Sequence, residues 1–97
     1  MYSTTRIDEI LAKLEEAHLR LLWVCLDCPK DDQGTFCGEW IKNRCDQERI
    51  AFHQGWLRKL ANLDVLQRRD SSRRGGRRYY SIKDDAGVRQ LLALQPA

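Results

Sequence analysis

The arginine-rich stretch in the second half of the chain carries the strongest chemical signal in the sequence. Six guanidinium groups fall within eleven residues, at Arg68, Arg69, Arg73, Arg74, Arg77 and Arg78. Guanidinium groups bind phosphate oxygens, so a cluster of this density predicts a surface that binds a polyanion. An arginine-rich segment would also suit an acidic protein or RNA, or would only keep the chain soluble. The sequence leaves these alternatives open.

A helix predicted over residues 46–63 carries a second set of candidate binding side chains. Asp46 is its predicted N-cap, and its buried face is marked by Ile50, His53, Leu57 and Leu60, at three- and four-residue spacing. The exposed face then carries Gln47, Gln54 and Arg58, with Arg49 and Lys59 at its borders. Gln can pair with adenine edges and Arg with guanine edges, whereas the border cations suit phosphates. Ala51 and Gly55 would let either a DNA backbone or a neighbouring helix approach this face.

The residues after this helix predict a β-hairpin. Residues 65–69 and 77–82 are short and β-compatible, and the segment between them is rich in turn formers, including Gly75 and Gly76. A helix that leads directly into a hairpin is the second half of a winged helix. The hairpin loop, residues 68–78, is predicted to place its arginines on phosphates or in a minor groove.

Residues 57–69, LRKLANLDVLQRR, and residues 77–82, RRYYSI, resemble the recognition helix and wing of winged helix-turn-helix transcriptional regulators. The resemblance covers residues 18–83 and implies a recognition helix in the major groove and a wing on the backbone or in the minor groove. Such families usually end this helix with Gly, where this chain has Asp64. Asp tolerates the left-handed conformation of that position at some cost. The resemblance implies sequence-specific binding of double-stranded DNA by a small transcriptional regulator.

The expected fold is a single α+β domain, mostly helical. It combines an N-terminal helical extension (1–17), a winged-helix core (18–83) and a short C-terminal helix (84–97). The first helix is predicted to run unbroken for about six turns to Pro29, and Thr35 is predicted to cap the next helix, which includes Phe36 and Cys37. The apolar stripe of the extension is expected to pack on a second subunit of a homodimer, with folding back onto its own domain as the alternative.

Charge and hydropathy restrict the classes of protein to which the chain can belong. Residues 1–48 carry six Lys and Arg against ten Asp and Glu, and residues 49–97 carry eleven against four. A basic second half beside an acidic first half is typical of a nucleic-acid-binding face. No apolar run is long enough to span a membrane, and no basic stretch with an apolar core opens the chain, so a cytoplasmic location is expected.

The cysteine, histidine and tryptophan residues are expected to lie in the core. Cys25, Cys28, Cys37 and Cys45 could surround zinc or respond to redox, but their spacing matches the buried faces of helices, so no metal or cofactor is expected. His18 and His53 fall on apolar stripes, and Trp23, Trp40 and Trp56 are predicted core anchors. No nucleophile with a base and no paired carboxylates are evident, so the chain is not expected to be an enzyme. Two alternative functions stay open: a winged-helix protein-interaction module, and a metal- or redox-responsive regulator.

Overall fold

The computed structural model describes residues 1–69 and 78–93 of the 97-residue chain. Its elements follow the order α1 (Thr4–Lys13), α2 (Glu16–Asp27), β1 (Phe36–Cys37), α3 (Gly38–Glu48), α4 (Gln54–Asn62), β2 (Leu66–Arg68), β3 (Tyr79–Ile82) and α5 (Asp85–Ala93). The helices α2, α3 and α4 with the β2–β3 hairpin form a winged helix, preceded by α1 and followed by α5. The predicted fold class, an α+β and mostly helical winged helix with a β-hairpin and a C-terminal helix, is confirmed.

The sheet is antiparallel, with strand order β1-β3-β2. Phe36 pairs with Tyr80 across β1 and β3, and Leu66 pairs with Ile82 across β2 and β3. The prediction that Phe36 and Cys37 belong to a helix is therefore wrong. Their backbone groups pair with β3 instead, and this pairing depends on residues far along the chain rather than on local spacing.

The core lies between the helices and the inner face of the sheet. Its fully buried side chains include Leu21, Leu22, Phe36, Ile41, Leu57, Leu60, Val65, Val88 and Leu91. Trp40 and Trp56 pack against this cluster as half-buried residues. Trp23 was expected in the core, but 52% of its side chain is exposed, so that prediction is wrong. Trp23 lies at the edge of a groove between α2, the end of α3 and α5, where these elements leave its indole partly uncovered.

The predicted first helix is in fact two helices. Leu14 and Glu15 are extended, and α2 begins again at Glu16. The backbone N–H of Glu15 donates to Nδ1 of His18 at 2.9 Å, and the Glu15 side chain accepts from the backbone of His18 in return. This reciprocal cap satisfies donors that an uninterrupted helix would have bonded internally, so the chain can bend there.

The bend folds α1 back onto its own domain. Ile7 and Ile10 are buried in the common core, and the Arg6 guanidinium donates to the backbone carbonyl of Leu63. The terminal amino group of Met1 pairs with Asp84 at 2.9 Å. The apolar stripe that was expected to pack on a second subunit is therefore covered within the chain. A homodimer stays a prediction, but the stripe of α1 no longer supports it.

The predicted helix over residues 46–63 begins too early. Helix α3 runs through Glu48 and ends where Arg49 adopts a left-handed backbone with φ 55°, its N–H donating to Asp46 O. Helix α4 begins only at Gln54, capped by Nδ1 of His53, which accepts from the Gly55 N–H at 3.0 Å. His53 is therefore an exposed N-cap, not a buried stripe residue, and Asp46 is not an N-cap.

The end of α4 agrees with the sequence prediction. Asp64 has φ 66°, the left-handed conformation that Gly usually provides at this position. The N–H of Val65 donates to Leu60 O and that of Asp64 to Ala61 O, each at 3.0 Å, which is the Schellman pattern of hydrogen bonds. The chain leaves α4 through this turn and enters β2 directly, which fixes the hairpin beside the helix.

Candidate nucleic-acid interface

One exposed face of α4 carries the polar side chains that the sequence singled out. Gln54, Arg58 and Asn62 recur every four residues and are exposed, so they lie along one side of the helix. Leu57 and Leu60 are fully buried on the opposite side. The burial of these two leucines against the core holds the helix, and the exposed face is presented to solvent as a rigid row of donors.

A groove joins this face to the β2–β3 hairpin. It encloses about 330 Å³ and is lined by Arg58, Ala61, Asn62, Asp64, Leu66, Gln67, Arg68, Tyr80 and Lys83. The C-terminal half of α4 and the two hairpin strands therefore line one polar groove. Its walls combine side chains suited to base edges with cations suited to phosphates.

A second, smaller groove begins where Gln54 meets the wing. It encloses about 190 Å³ and is lined by Cys37, Gly38, Glu39, Gln54, Arg78 and Tyr80. The Gln54 side chain lies against Gly38, because a Cβ at that glycine would come within 2.8 Å of Gln54 Oε1. Tyr80 lines both grooves, so β3 connects them into one surface, called here the α4–hairpin surface.

Positive charge dominates the α4–hairpin surface. Arg58, Arg68, Arg78 and Lys83 line its grooves, and Lys59 and Arg69 lie beside them on α4 and after β2. The carboxylate of Asp64 pairs with Lys83 Nζ at 2.7 Å, and both side chains are exposed. An exposed pair of this kind contributes little to stability.

The structure brings together only part of the predicted contact set. Gln54, Arg58 and Arg78 line the grooves, and Lys59 and Arg69 follow the lining residues Arg58 and Arg68 in the sequence. Gln47 lies in the last turn of α3 and Arg49 follows its end, so neither belongs to the recognition helix, contrary to the prediction. Arg73, Arg74 and Arg77 lie outside the described residues.

Two lining residues, Gln67 and Lys83, were not among the predicted contacts. Gln67 pairs with Ser81 across the hairpin, and Lys83 donates its backbone N–H to Val65 O at 3.3 Å. The signal that would have identified Gln67 is the hairpin register. Once Leu66 is placed inward opposite Ile82, the alternation of a strand turns Gln67 outward.

The four cysteines are buried, and none of them forms a disulfide bond. Burial raises the pKa of Cys25, Cys28 and Cys45, so these thiols resist becoming the thiolates that bind metal. Within residues 1–69 and 78–93, no three His, Cys, Asp or Glu side chains come together as ligands for a metal ion. The prediction that the cysteines occupy buried positions is confirmed.

His18 of α2 lies beneath α4. It is buried, and its ring meets that of Trp56 edge-on at 5.2 Å between centroids. Burial lowers the pKa of His18, and the positive charge of Lys59 adds to this effect while Glu15 opposes it. The neutral imidazole is therefore favoured, which keeps Nδ1 free to accept the capping hydrogen bond from Glu15.

Comparison with known proteins supports the fold. No protein-family model and no curated protein matches the chain. Among solved structures, the chain is similar to the Orc1 protein of Aeropyrum pernix, determined in complex with DNA, with a TM-score of 0.65 and 19% sequence identity. The match covers 94% of this chain but 27% of the Orc1 chain, so it concerns about a quarter of that protein. The likeness shows a shared fold, consistent with the winged helix described above.

In the described part of the chain, no helix combines the length and the apolar character needed to cross a bilayer.

Proposed function

We propose that the chain binds double-stranded DNA through the α4–hairpin surface. One observation carries this proposal. On one continuous surface, side chains of α4 that can hydrogen-bond to base edges lie beside cations of the hairpin. The Orc1 structure supports it, because a protein with a similar fold was determined in complex with DNA. Double-stranded DNA offers both partners that this surface requires, base edges in a groove and phosphates along its sides.

In this proposal α4 enters the major groove. An α-helix with its side chains is about 10–12 Å across, which fits the roughly 12 Å width of that groove, and the nine residues of α4 extend about 13 Å along the helix axis. Gln54 and Asn62 are placed to pair with adenine edges and Arg58 with guanine edges. Binding of α4 in this groove brings the hairpin toward the adjacent backbone.

Cations around α4 would then neutralise phosphates. Arg68, Arg69, Arg78 and Lys83 surround the helix, and Arg73, Arg74 and Arg77 are proposed to extend these contacts along the wing or into the minor groove. Gln47 and Arg49, displaced from the helix itself, would contact the backbone from the end of α3. Each phosphate contact adds about −0.9 to the slope of log affinity against log salt concentration.

The proposed biological role is sequence-specific regulation of transcription by a homodimer that binds two half-sites about one helical turn apart. No cofactor, metal or enzymatic activity is proposed, and the expected location is the cytoplasm. The alternative in which the cysteines sense metal or redox gains no support from the arrangement of these thiols. The alternative of a protein-interaction module would use a surface of the helices other than the α4–hairpin surface.

The deciding experiment is fluorescence anisotropy with a short labelled duplex of random sequence, measured across a salt series. The test variant is Arg58→Glu/Arg78→Glu, and the matched control is Lys13→Glu/Lys42→Glu, which makes the same change in charge at exposed positions of α1 and α3. We expect wild type to bind with a steep salt slope, the control to bind similarly, and the test variant to lose at least 100-fold in affinity.

Two results would overturn the proposal. One is the absence of binding by wild type at low salt, and the other is an equal loss in the control variant. Circular dichroism of each variant separates a lost contact from a lost fold. Selection from a random DNA pool then tests sequence specificity, which requires that one sequence be enriched and that Gln54→Ala or Asn62→Ala weaken the preference.

A further inference from the structure

Trp23 is the most unexpected surface residue of the described chain. Among residues 1–69 and 78–93, the exposed large apolar side chains are Met1 and Trp23, and Trp23 belongs to a well-formed helix. An indole is costly to leave in water, and Trp is enriched at the centres of protein interfaces. Its exposure on a rigid helix therefore marks a surface suited to contact with a partner.

Trp23 lies at the edge of a groove. The groove encloses about 250 Å³ and is lined by Trp23, Val24, Leu26, Asp27, Glu48, Ile50 and Arg89. These residues come from α2, the end of α3, the turn after it and α5, and this set is called here the Trp23 groove. It shares no residue with the α4–hairpin surface, so a partner can occupy one without replacing contacts at the other.

Both signs of charge line the Trp23 groove, but in separate groups. Arg44 pairs with Asp27 at 2.6 Å and with Glu48 at 3.1 Å, so two carboxylates share one cation. Arg89 instead pairs with Asp85, the residue one turn earlier on α5, at 2.8 Å. The α2–α3 side thus carries one carboxylate more than it has cations. On the α5 side Arg89 bonds Asp85 through Nε, and the two NH2 groups of its guanidinium can donate to a further carboxylate.

This distribution selects a second copy of the chain as the partner. A uniformly basic partner would meet Arg89 with like charge, and a uniformly acidic one would meet Asp27 and Glu48. Two copies related by a two-fold axis satisfy both groups, because each contact between residues i and j recurs as a contact between j and i. The Arg89 side of each copy then faces the carboxylate side of the other.

We propose that the Trp23 groove is the interface of a homodimer, with Trp23 of each copy packed on the apolar wall of the other and Arg89 opposite Glu48. The Trp23 groove would be the contact surface of the homodimer included in the proposed function, and this interface can be tested without DNA. A stable interface covers roughly 800 Å² per partner. The contact therefore extends from the groove along the exposed sides of α2 and α5.

The first test is sedimentation equilibrium of the full chain in the absence of DNA. Wild type is expected to be dimeric, and Trp23→Ala is expected to raise the dimer dissociation constant at least tenfold. Lys42→Glu, an exposed substitution on α3 outside the groove, is the control and should leave the dimer unchanged. A monomeric wild type at concentrations of tens of micromolar would overturn the proposal.

A mixing experiment tests the two-fold pairing itself. Arg89→Glu places two carboxylates opposite each other in its own dimer, and Glu48→Arg places two cations there, so each variant alone should be monomeric. In a mixture, both contacts of the mixed dimer become attractive again, and the dimer should return to within a few-fold of wild-type affinity. Monomers that stay apart after mixing would overturn the assigned pairing.

The two proposals fail in distinguishable ways. If the homodimer proposal fails, the short-duplex affinity of wild type and of Arg58→Glu/Arg78→Glu is unaffected. If the DNA proposal fails, sedimentation and the mixing experiment still report the dimer. If folded wild type is monomeric and binds DNA, the DNA proposal for the α4–hairpin surface stands and the homodimer proposal for the Trp23 groove is wrong.

Discussion

The α4–hairpin surface and the Trp23 groove show two different ways of leaving a small domain open to a partner. The first is polar and carries a strong excess of positive charge, held around Tyr80 by a helix and two strands. The second is apolar at Trp23 and Ile50, with both signs of charge at its edges. Electrostatic attraction to a polyanion is weakened by salt, whereas burial of apolar surface depends on salt far less. The two surfaces are therefore suited to partners of different chemistry, and their roles can be separated by experiment.

The largest expected effect comes from joining the two surfaces on one DNA molecule. On a duplex with two half-sites, Trp23→Ala should weaken binding by about the factor by which it raises the dimer dissociation constant, at least tenfold, because the dimer contact is part of the complex with both half-sites. On a duplex with a single half-site, the same variant should bind like wild type. Anisotropy with the two duplexes measures this difference, and an equal loss on both would contradict the separation of the surfaces.

A smaller effect is expected within the α4–hairpin surface. Asp64→Asn removes the carboxylate that holds Lys83 and keeps a residue that tolerates the left-handed backbone at this position. The freed Lys83 should contact a phosphate, tightening DNA binding several-fold at low salt and making the salt slope steeper by about 0.9. Sedimentation of the same variant should show an unchanged dimer. Unchanged DNA affinity would place Lys83 outside the interface.

The smallest effect concerns the core beneath both surfaces, where His18 of α2 meets Trp56 of α4. Because the pKa of His18 is lowered in the folded state, its contribution to stability is present above the unfolded value of about 6.5. That contribution is lost as the pH falls below 6.5 toward the folded pKa. Urea unfolding of wild type at pH 7.5 and pH 5 should show this loss, and His18→Asn, which keeps an acceptor for the Glu15 N–H, should reduce it. Equal losses in both proteins would exclude His18 as the cause.

The sequence predicted the elements whose signals are local. The spacing of Leu57 and Leu60 identified the buried side of the recognition helix, and this placed Gln54 and Arg58 on its exposed side. Asp64 marked the end of that helix, because a residue that tolerates a left-handed backbone follows the last apolar position. The short β-compatible stretches 65–69 and 77–82 likewise identified the strands of the hairpin.

Features that depend on distant partners were not predictable from spacing. Arg49 ends α3 in a left-handed conformation for which Arg has no preference, and the apolar period continues through the turn to Ile50. Phe36 is in a two-residue strand whose only signal is its pairing with Tyr80. Trp23 has the composition of a core residue, but whether a helix position is covered depends on which elements pack against it.

The bond between Arg6 and the carbonyl of Leu63 has a consequence for the order in which the protein is built. The two residues are 57 positions apart, so α1 cannot reach its final place until the end of α4 has emerged from the ribosome. Until then Ile7 and Ile10 have no complete core to enter and remain available to other apolar surfaces. Helix α1 is thus made before the residues it packs on, and it can dock only after the end of the helix proposed to read DNA has been made.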